Sequence, residues 1–351
     1  MVAPQELEED DETDLLDTAP LHPPGAFTVP DRLTVPAASE GERLDKVLAQ
    51  LLPAVSRSRI QQWIEGGAVR LNDRTPVART PVFAGDTIEL APPPGPEASA
   101  FVAEPIALDV VYADAAILVL DKPPGLVVHP GAGNWSGTLL NGLLAFDPRQ
   151  GSLPRAGIVH RLDAGTSGLM VVARTAAAQL ELVRQLQARS VTREYWALVY
   201  GAAAGEGTID AAIARDPRQP VRFKVSRAAH AKQARTHFRL VESKQVGGLV
   251  VSWLACRLDT GRTHQIRVHL ESIGLPLVGD PIYRRGRPAG ANALSAAGSA
   301  FPRQALHAHR LAIVHPTSGN PIQWSREPPA DMRELMTALG FRPRRRPRGS
   351  G

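Results

Sequence analysis

Ala91-Pro92-Pro93-Pro94-Gly95-Pro96 can continue neither a helix nor a sheet. Proline fixes its own φ and has no N–H to donate, so the run stiffens the chain and marks a boundary. It divides the 351 residues into a small unit over 41–90, a linker over 91–100 and a larger unit over 101–335. That length suits two domains with tails.

In the small unit Leu44, Val47, Leu48 and Leu51 fall at i, i+3, i+4 and i+7, the stripe of an amphipathic helix. A second helix is expected from Ser56 or Ser58, either of which can cap free N–H groups. Gln61 stands three residues after Ser58, the capping-box spacing. Ile60, Trp63 and Ile64 form its apolar face, and Gly66-Gly67 supplies a left-handed stop. Strands are expected over Val69–Leu71 and Thr87–Leu90, with a turn at Asn72-Asp73.

The larger unit carries β-branched runs at 110–112, 117–120, 169–173, 195–200, 249–254 and 265–270. One helix is expected over 176–189, with Leu180, Val183 and Leu186 on one side. Strands outnumber helices and do not alternate with them, so the fold class is α+β rather than a doubly wound parallel sheet. Residues 284–303, rich in Gly, Ala, Ser and Arg, are expected to form a mobile insertion.

Charge is unevenly spread. Residues 1–17 hold eight acids and no base, and taking them from the net charge of +5 leaves +13 for the remainder. Residues 1–38 are expected to be a disordered acidic and proline-rich tail. Arg342, Arg344, Arg345, Arg346 and Arg348 make a basic tail over 341–351. A body this basic favours a polyanionic partner, although it is also what a solvated surface looks like. The one cysteine, Cys256, excludes an intramolecular disulfide and multi-cysteine zinc sites. No stretch approaches the ~20 apolar residues of a membrane helix, and the acidic N-terminal segment is not expected to act as a secretion signal. A cytoplasmic, monomeric protein without membrane, metal or cofactor is expected.

Three segments can carry chemistry. In Gly157-Ile158-Val159-His160-Arg161-Leu162-Asp163-Ala164-Gly165-Thr166-Ser167-Gly168-Leu169, a strand leads into a polar turn and a second strand. Asp163 stands at the turn, where its carboxylate can face a cleft, or simply bond its own backbone. In Gln265-Ile266-Arg267-Val268-His269-Leu270, period-2 alternation predicts a strand with Gln265, Arg267 and His269 on one face. Arg267 can pair with a carboxylate there and hold it ionised, or face solvent. In Arg193-Glu194-Tyr195-Trp196-Ala197-Leu198-Val199-Tyr200, Tyr195 suits a sheet core and equally suits stacking on a base. His264 with His269, and His307 with His309, lack the carboxylate spacing of a known metal site and are read as structural.

In this order, these segments resemble the pseudouridine synthases of the ribosomal large-subunit type. The likeness takes in Leu120-Asp121-Lys122-Pro123, Val127-Val128-His129-Pro130-Gly131-Ala132-Gly133-Asn134, Pro276-Leu277-Val278-Gly279-Asp280 and Gln304-Ala305-Leu306-His307-Ala308. Ser56-Arg57-Ser58-Arg59-Ile60 in the small unit resembles the S4 RNA-binding domain. The resemblance implies a mixed, mainly antiparallel sheet with flanking helices behind an S4-like domain. It also implies conversion of uridine to pseudouridine in RNA, most readily large-subunit ribosomal RNA or pre-ribosomal particles. A tRNA target, a non-catalytic ribosome-assembly factor and a nucleoside hydrolase are the alternatives. By the resemblance Asp163 is the catalytic carboxylate, Arg267 its partner, Tyr195 the residue stacked on uracil, and Arg161 the filler of the gap left by a flipped nucleotide. RNA contacts from the S4-like unit are expected at Arg57, Arg59 and Arg70. The chain departs from the family in two places, with Ala164-Gly165 where Lys-Asp is usual and Asn72-Asp73 where Asn-Gly is common.

Overall fold

A computed structural model describes residues 30–342, apart from 54, 93–99, 132, 220 and 290–300. The acidic tail up to residue 29, most of the linker, the heart of the 284–303 segment and nearly all of the basic tail lie outside the described residues. Contacts divide the chain between Ala100 and Phe101 into two units.

The N-terminal unit begins earlier than expected. Strand β1 (Arg32–Thr34) pairs antiparallel with β3 (Thr87–Leu90), whose other edge takes β2 (Val69–Leu71). Residues 32–39 are therefore structured and do not belong to a disordered tail. Leu33 and Val35 alternate as a strand should, but Pro30 and Pro36 bracket so short a run that the pattern is masked. Helix α1 (Leu44–Leu51) and helix α2 (Arg57–Glu65) pack on this sheet through Leu44, Val47, Leu48, Ile60, Trp63 and Ile64. The cap of α2 is Ser56, whose Oγ accepts from Arg59 N at 3.3 Å. No capping box forms at Ser58, because Ser58 already lies in the first turn. Gln61 instead donates to Asp45 Oδ2 at 2.7 Å. Asp45 is fully buried and also accepts from Arg43 and Arg57. Burial pushes its carboxyl up, but donation from Gln61, Arg43 and Arg57 outweighs burial and holds it below the usual range. Asn72 and Asp73 both take left-handed backbone, φ 47° and 64°, so the departure from Asn-Gly is accommodated without loss of the turn.

The larger unit runs β4 (Val110–Ala113), β5 (Ile117–Lys122), α3 (Leu139–Phe146), β6 (Ser167–Ala173), α4 (Ala176–Gln187), β7 (Thr192–Tyr200), β8 (Glu206–Asp210), β9 (Ile213–Arg215), β10 (Phe223–Val225), β11 (Arg235–Val246), β12 (Leu249–Leu258), α5 (Gln265–Ser272), β13 (Leu306–Val314), β14 (Pro321–Ser325) and α6 (Ala330–Ala338). The main sheet has the order β4-β5-β6-β13-β7-β12-β11-β8, with β14 on β13. Every pairing is antiparallel except β6 with β13, which confirms the mixed α+β architecture.

Both faces of the central strands β5, β6, β7 and β12 are covered, so these strands read as largely apolar runs. On β7, Tyr195, Ala197 and Val199 join the core under α3 and α5. Trp196, Leu198 and Tyr200 pack under α6. Helix α4 seats Ala178, Leu182, Val183 and Leu186 on β5 and β6, whereas Leu180, expected in that stripe, is 47% exposed. The parallel step brings Gly168 against Ala308 with φ +116°, and a Cβ there would overlap the Ala308 backbone.

Two expectations fail close to the site. The segment before Asp163 is not a strand: a tight turn over Pro154–Gly157, with Arg155 and Ala156 in left-handed backbone, leads to a single bridge, Ile158 with Val172. Residues 265–270 are not a strand either but form α5, and Gln265 to Glu271 are all buried. A helix enclosed on every side has no polar face. Its polar residues are placed by their partners: Gln265 with Thr236, His269 with Thr236 and the Ala211 carbonyl, and Arg267 with two carboxylates. Six residues of alternation therefore imitate a strand. At the far end of the 284–303 segment Arg303 is buried and paired with Asp331, so the insertion does not extend that far.

Candidate active site

The turn carrying Asp163 is held through its backbone. Thr166 N donates to Asp163 O at 2.9 Å and closes it. The Ala164 carbonyl accepts from Gly125 N at 2.7 Å and from Lys122 Nζ at 3.0 Å. Lys122 is buried and also donates to the Pro123 and Leu126 carbonyls. Burial lowers its ammonium to about 7, with Asp163 pulling the other way. The Gly165 carbonyl accepts from Arg303 Nη1 at 3.0 Å, and Arg303 is fixed by both oxygens of Asp331. A Cβ at Gly165 would come 2.6 Å from Gln304 Oε1, whose amide nitrogen donates to Thr166 Oγ1. Because carbonyl oxygens carry these contacts, Ala164-Gly165 serves the loop without the usual charged pair.

Asp163, Arg161, Tyr195 and Arg267 line one cleft that opens to solvent. They arrive from the turn, β7 and α5. Arg267 Nη1 donates to Asp163 Oδ2 at 3.0 Å. Its Nε and Nη2 make a bidentate pair with Asp280 at 2.8 and 3.0 Å. Asp280 is buried and also accepts from the Ile282 and Tyr283 N–H groups. The Arg267 guanidinium lies 4.9 Å from the Tyr283 ring. One arginine thus bridges a buried anchoring carboxylate and a second carboxylate that is 16% exposed to the cleft.

Burial pushes the Asp163 carboxyl up, and the charges of His264, Arg267 and Arg161, with the Arg267 hydrogen bond, hold it below the usual range. Burial lowers His264 in turn, so near neutral pH the two arginines do this work. The result is an ionised carboxylate with one oxygen held by Arg267 and the other facing the cleft, where it can attack or stabilise a cationic carbon.

In the N-terminal unit Arg57 is bonded to Asp45, Arg59 stacks over Trp63 at 5.8 Å, and Arg70 Nη2 donates to the Asp73 carbonyl. Asp280, Lys122, His264 and Tyr283 were not singled out in the sequence for any role in the site. Asp280 had a faint signal, an aspartate after Gly279, which sits at φ +76° in a turn. Among the described residues no group of three His, Cys, Asp or Glu is placed to hold a metal ion.

Comparison with known proteins agrees with this architecture. A family model for RNA pseudouridylate synthase matches residues 116–272, and one for the S4 domain matches residues 42–75. A protein of Neisseria meningitidis named ribosomal large subunit pseudouridine synthase D is 48% identical over 308 residues, which are 88% of this chain and 81% of that protein. Its namesakes from Nitrosomonas europaea and Escherichia coli are 47% and 44% identical, over 88% and 87% of this chain and 87% and 93% of theirs. Among solved structures, human RNA pseudouridylate synthase domain containing 4 shares the fold, with a TM-score of 0.51 at 23% identity over 66% of this chain and 93% of that one. With 44–48% of the aligned residues identical over 81–93% of the length of such relatives, the chain belongs to the RNA pseudouridylate synthase family.

Proposed function

We propose that this protein converts uridines of large-subunit ribosomal RNA to pseudouridine, with Asp163 as its catalytic carboxylate. The observation that carries the reading is the Asp163 carboxylate, ionised by Arg267 and presented in a cleft that Tyr195 also lines. The C1′–N1 bond breaks, and the carboxylate captures or stabilises the cationic sugar carbon. The uracil turns and rejoins through C5, whose proton leaves while N1 gains one. Substrate and product are isomers, so the atoms balance without a co-reactant. Tyr195 stacks on the uracil, and Arg161 fills the gap left when the nucleotide leaves the stack. The ribosomal target is supported by the names of the relatives. Arg57, Arg59 and Arg70 on the S4 domain supply further phosphate contacts. The same proposal places the protein in the cytoplasm as a monomer. Among the described residues no helix is long and apolar enough to cross a membrane.

The test is a pseudouridine map of ribosomal and transfer RNA from cells with and without the gene, complemented by the natural protein or by Asp163→Asn. Specific large-subunit sites are expected to vanish on deletion and to return only with the natural protein. Loss confined to transfer RNA refutes the ribosomal target. Restoration by Asp163→Asn refutes the catalytic role.

Arg267→Lys separates the charge from its geometry. A lysine pairs with one carboxylate at a time and cannot reproduce the three-point bridge. Asp163 then loses part of what lowers its pKa, and as pH falls it protonates sooner. The acid limb of kcat/KM, which reports the free enzyme, is expected to move to higher pH. An unmoved acid limb would show that Arg267 does not set the ionisation of Asp163.

A further inference from the structure

Among the described residues His264 is the one imidazole lining the cleft, and its Nδ1 faces a tyrosine hydroxyl. It is the residue before α5 and holds left-handed backbone, φ 57° and ψ 19°, which few side chains other than Gly, Asn, Asp and His adopt readily. The Tyr283 hydroxyl accepts from Phe223 N at 2.9 Å and lies 2.9 Å from His264 Nδ1. With a donor already on its oxygen, the hydroxyl directs its own proton to Nδ1. An imidazole that accepts this proton at Nδ1 carries its own on Nε2. The edges of Phe223 and Tyr283 meet the ring at 79° and 82°, so its orientation is set on two sides. Burial lowers the pKa of the ring, which keeps it neutral near pH 7.

Nε2 stands 3.9 Å from Asp163 Oδ1, too far for a direct hydrogen bond. Oδ1 is the carboxylate oxygen that Arg267 leaves to the cleft. A donor and an acceptor at that separation suit one hydroxyl oxygen lying about 2.8 Å from each. It would donate to Oδ1 and accept from Nε2–H. With Asp163 against C1′, the ribose 2′-oxygen is the hydroxyl on the neighbouring carbon.

We infer that His264 binds the 2′-hydroxyl of the target nucleotide, and is a specificity-determining residue for ribose over deoxyribose. A 2′-hydroxyl is what distinguishes RNA from DNA at a single position. A deoxyribose satisfies neither the imidazole nor the free carboxylate oxygen. This inference rests on the placement of Asp163 at C1′.

The test uses the full chain carrying Asp163→Asn, so that binding is measured without turnover. The probes are two synthetic RNAs spanning a uridine identified by the map above, with ribose or 2′-deoxyribose at that nucleotide alone. Asp163→Asn is expected to bind the ribose form about tenfold tighter, the effect of one hydrogen bond. Adding His264→Ala is expected to bring the two affinities together, and His264→Gln, which keeps an N–H, to restore part of the difference. If the alanine variant does not fold, His264→Gly, which tolerates left-handed backbone and carries no side-chain N–H, gives the same reading. A preference for ribose that survives His264→Ala overturns the inference, as does the absence of any preference at the outset. A purely structural role lowers both affinities together, keeps their ratio, and overturns it equally. Pseudouridine formed by the Asp163→Asn protein would instead sink the parent placement of Asp163, a result the same incubation displays separately.

Discussion

Asp163→Asn is expected to slow single-turnover pseudouridine formation by at least roughly 10⁴-fold while leaving the protein folded. Asparagine keeps the shape and loses the charge. The turn survives, because it is closed by the Asp163 carbonyl and gripped at the Ala164 and Gly165 carbonyls rather than through the carboxylate. Arg267 also survives, because its bidentate partner Asp280 remains. What is lost is the anion facing the cleft, and a neutral amide can neither capture nor stabilise a developing sugar cation. A loss of 10⁴ corresponds to about 5.5 kcal/mol of transition-state stabilisation. Affinity for RNA is expected to stay within about threefold, since phosphate contacts dominate it. Nucleoside chromatography of a single-turnover reaction measures the rate. A variant that retains a tenth of the natural rate would remove Asp163 from the chemistry.

Much of this arrangement was legible in the sequence, and the failures share a cause. The two helices and two of the three strands of the N-terminal unit follow from period and capping, because each element there has one buried and one wet face. All five β-branched runs between 110 and 254 are strands, and Tyr195 lies on one of them. The segment over 265–270 misled because α5 is buried all round, so polarity along it records partners and not a face. For the same reason Arg267 could be named as a partner for a carboxylate while its second and stronger grip on Asp280 stayed hidden. Local pattern reports which side of an element is wet. It does not report that residues 104 positions apart in the chain meet at 3.0 Å. Lys122 and His264 are of that kind too: a lysine pointed at three carbonyls and a histidine oriented by a tyrosine hydroxyl have no periodic signature.

Asp280→Ala tests whether the site depends on that hidden anchor. The substitution removes two charge-assisted bonds from Arg267 and the acceptor of the Ile282 and Tyr283 N–H groups, all in a buried setting. Removing Asp280 leaves the buried Arg267 charge with the Asp163 bond alone, at a cost of up to roughly 3–5 kcal/mol. The midpoint of denaturant unfolding is expected to fall accordingly, with an unchanged slope. Activity is expected to fall as well, because Arg267 is then free to close wholly onto Asp163 and cover the oxygen that faces the cleft. Asp280→Asn should be milder in stability, since the amide oxygen still accepts from the two backbone N–H groups, yet it should share the loss of activity. Adding Arg267→Met to Asp280→Ala removes the stranded charge and should recover much of the stability while leaving the enzyme impaired. That divergence, with stability regained and activity still lost, is what an arginine suspended between an anchor and a working carboxylate requires. A wild-type unfolding midpoint for Asp280→Ala would mean that Arg267 is positioned by something other than Asp280.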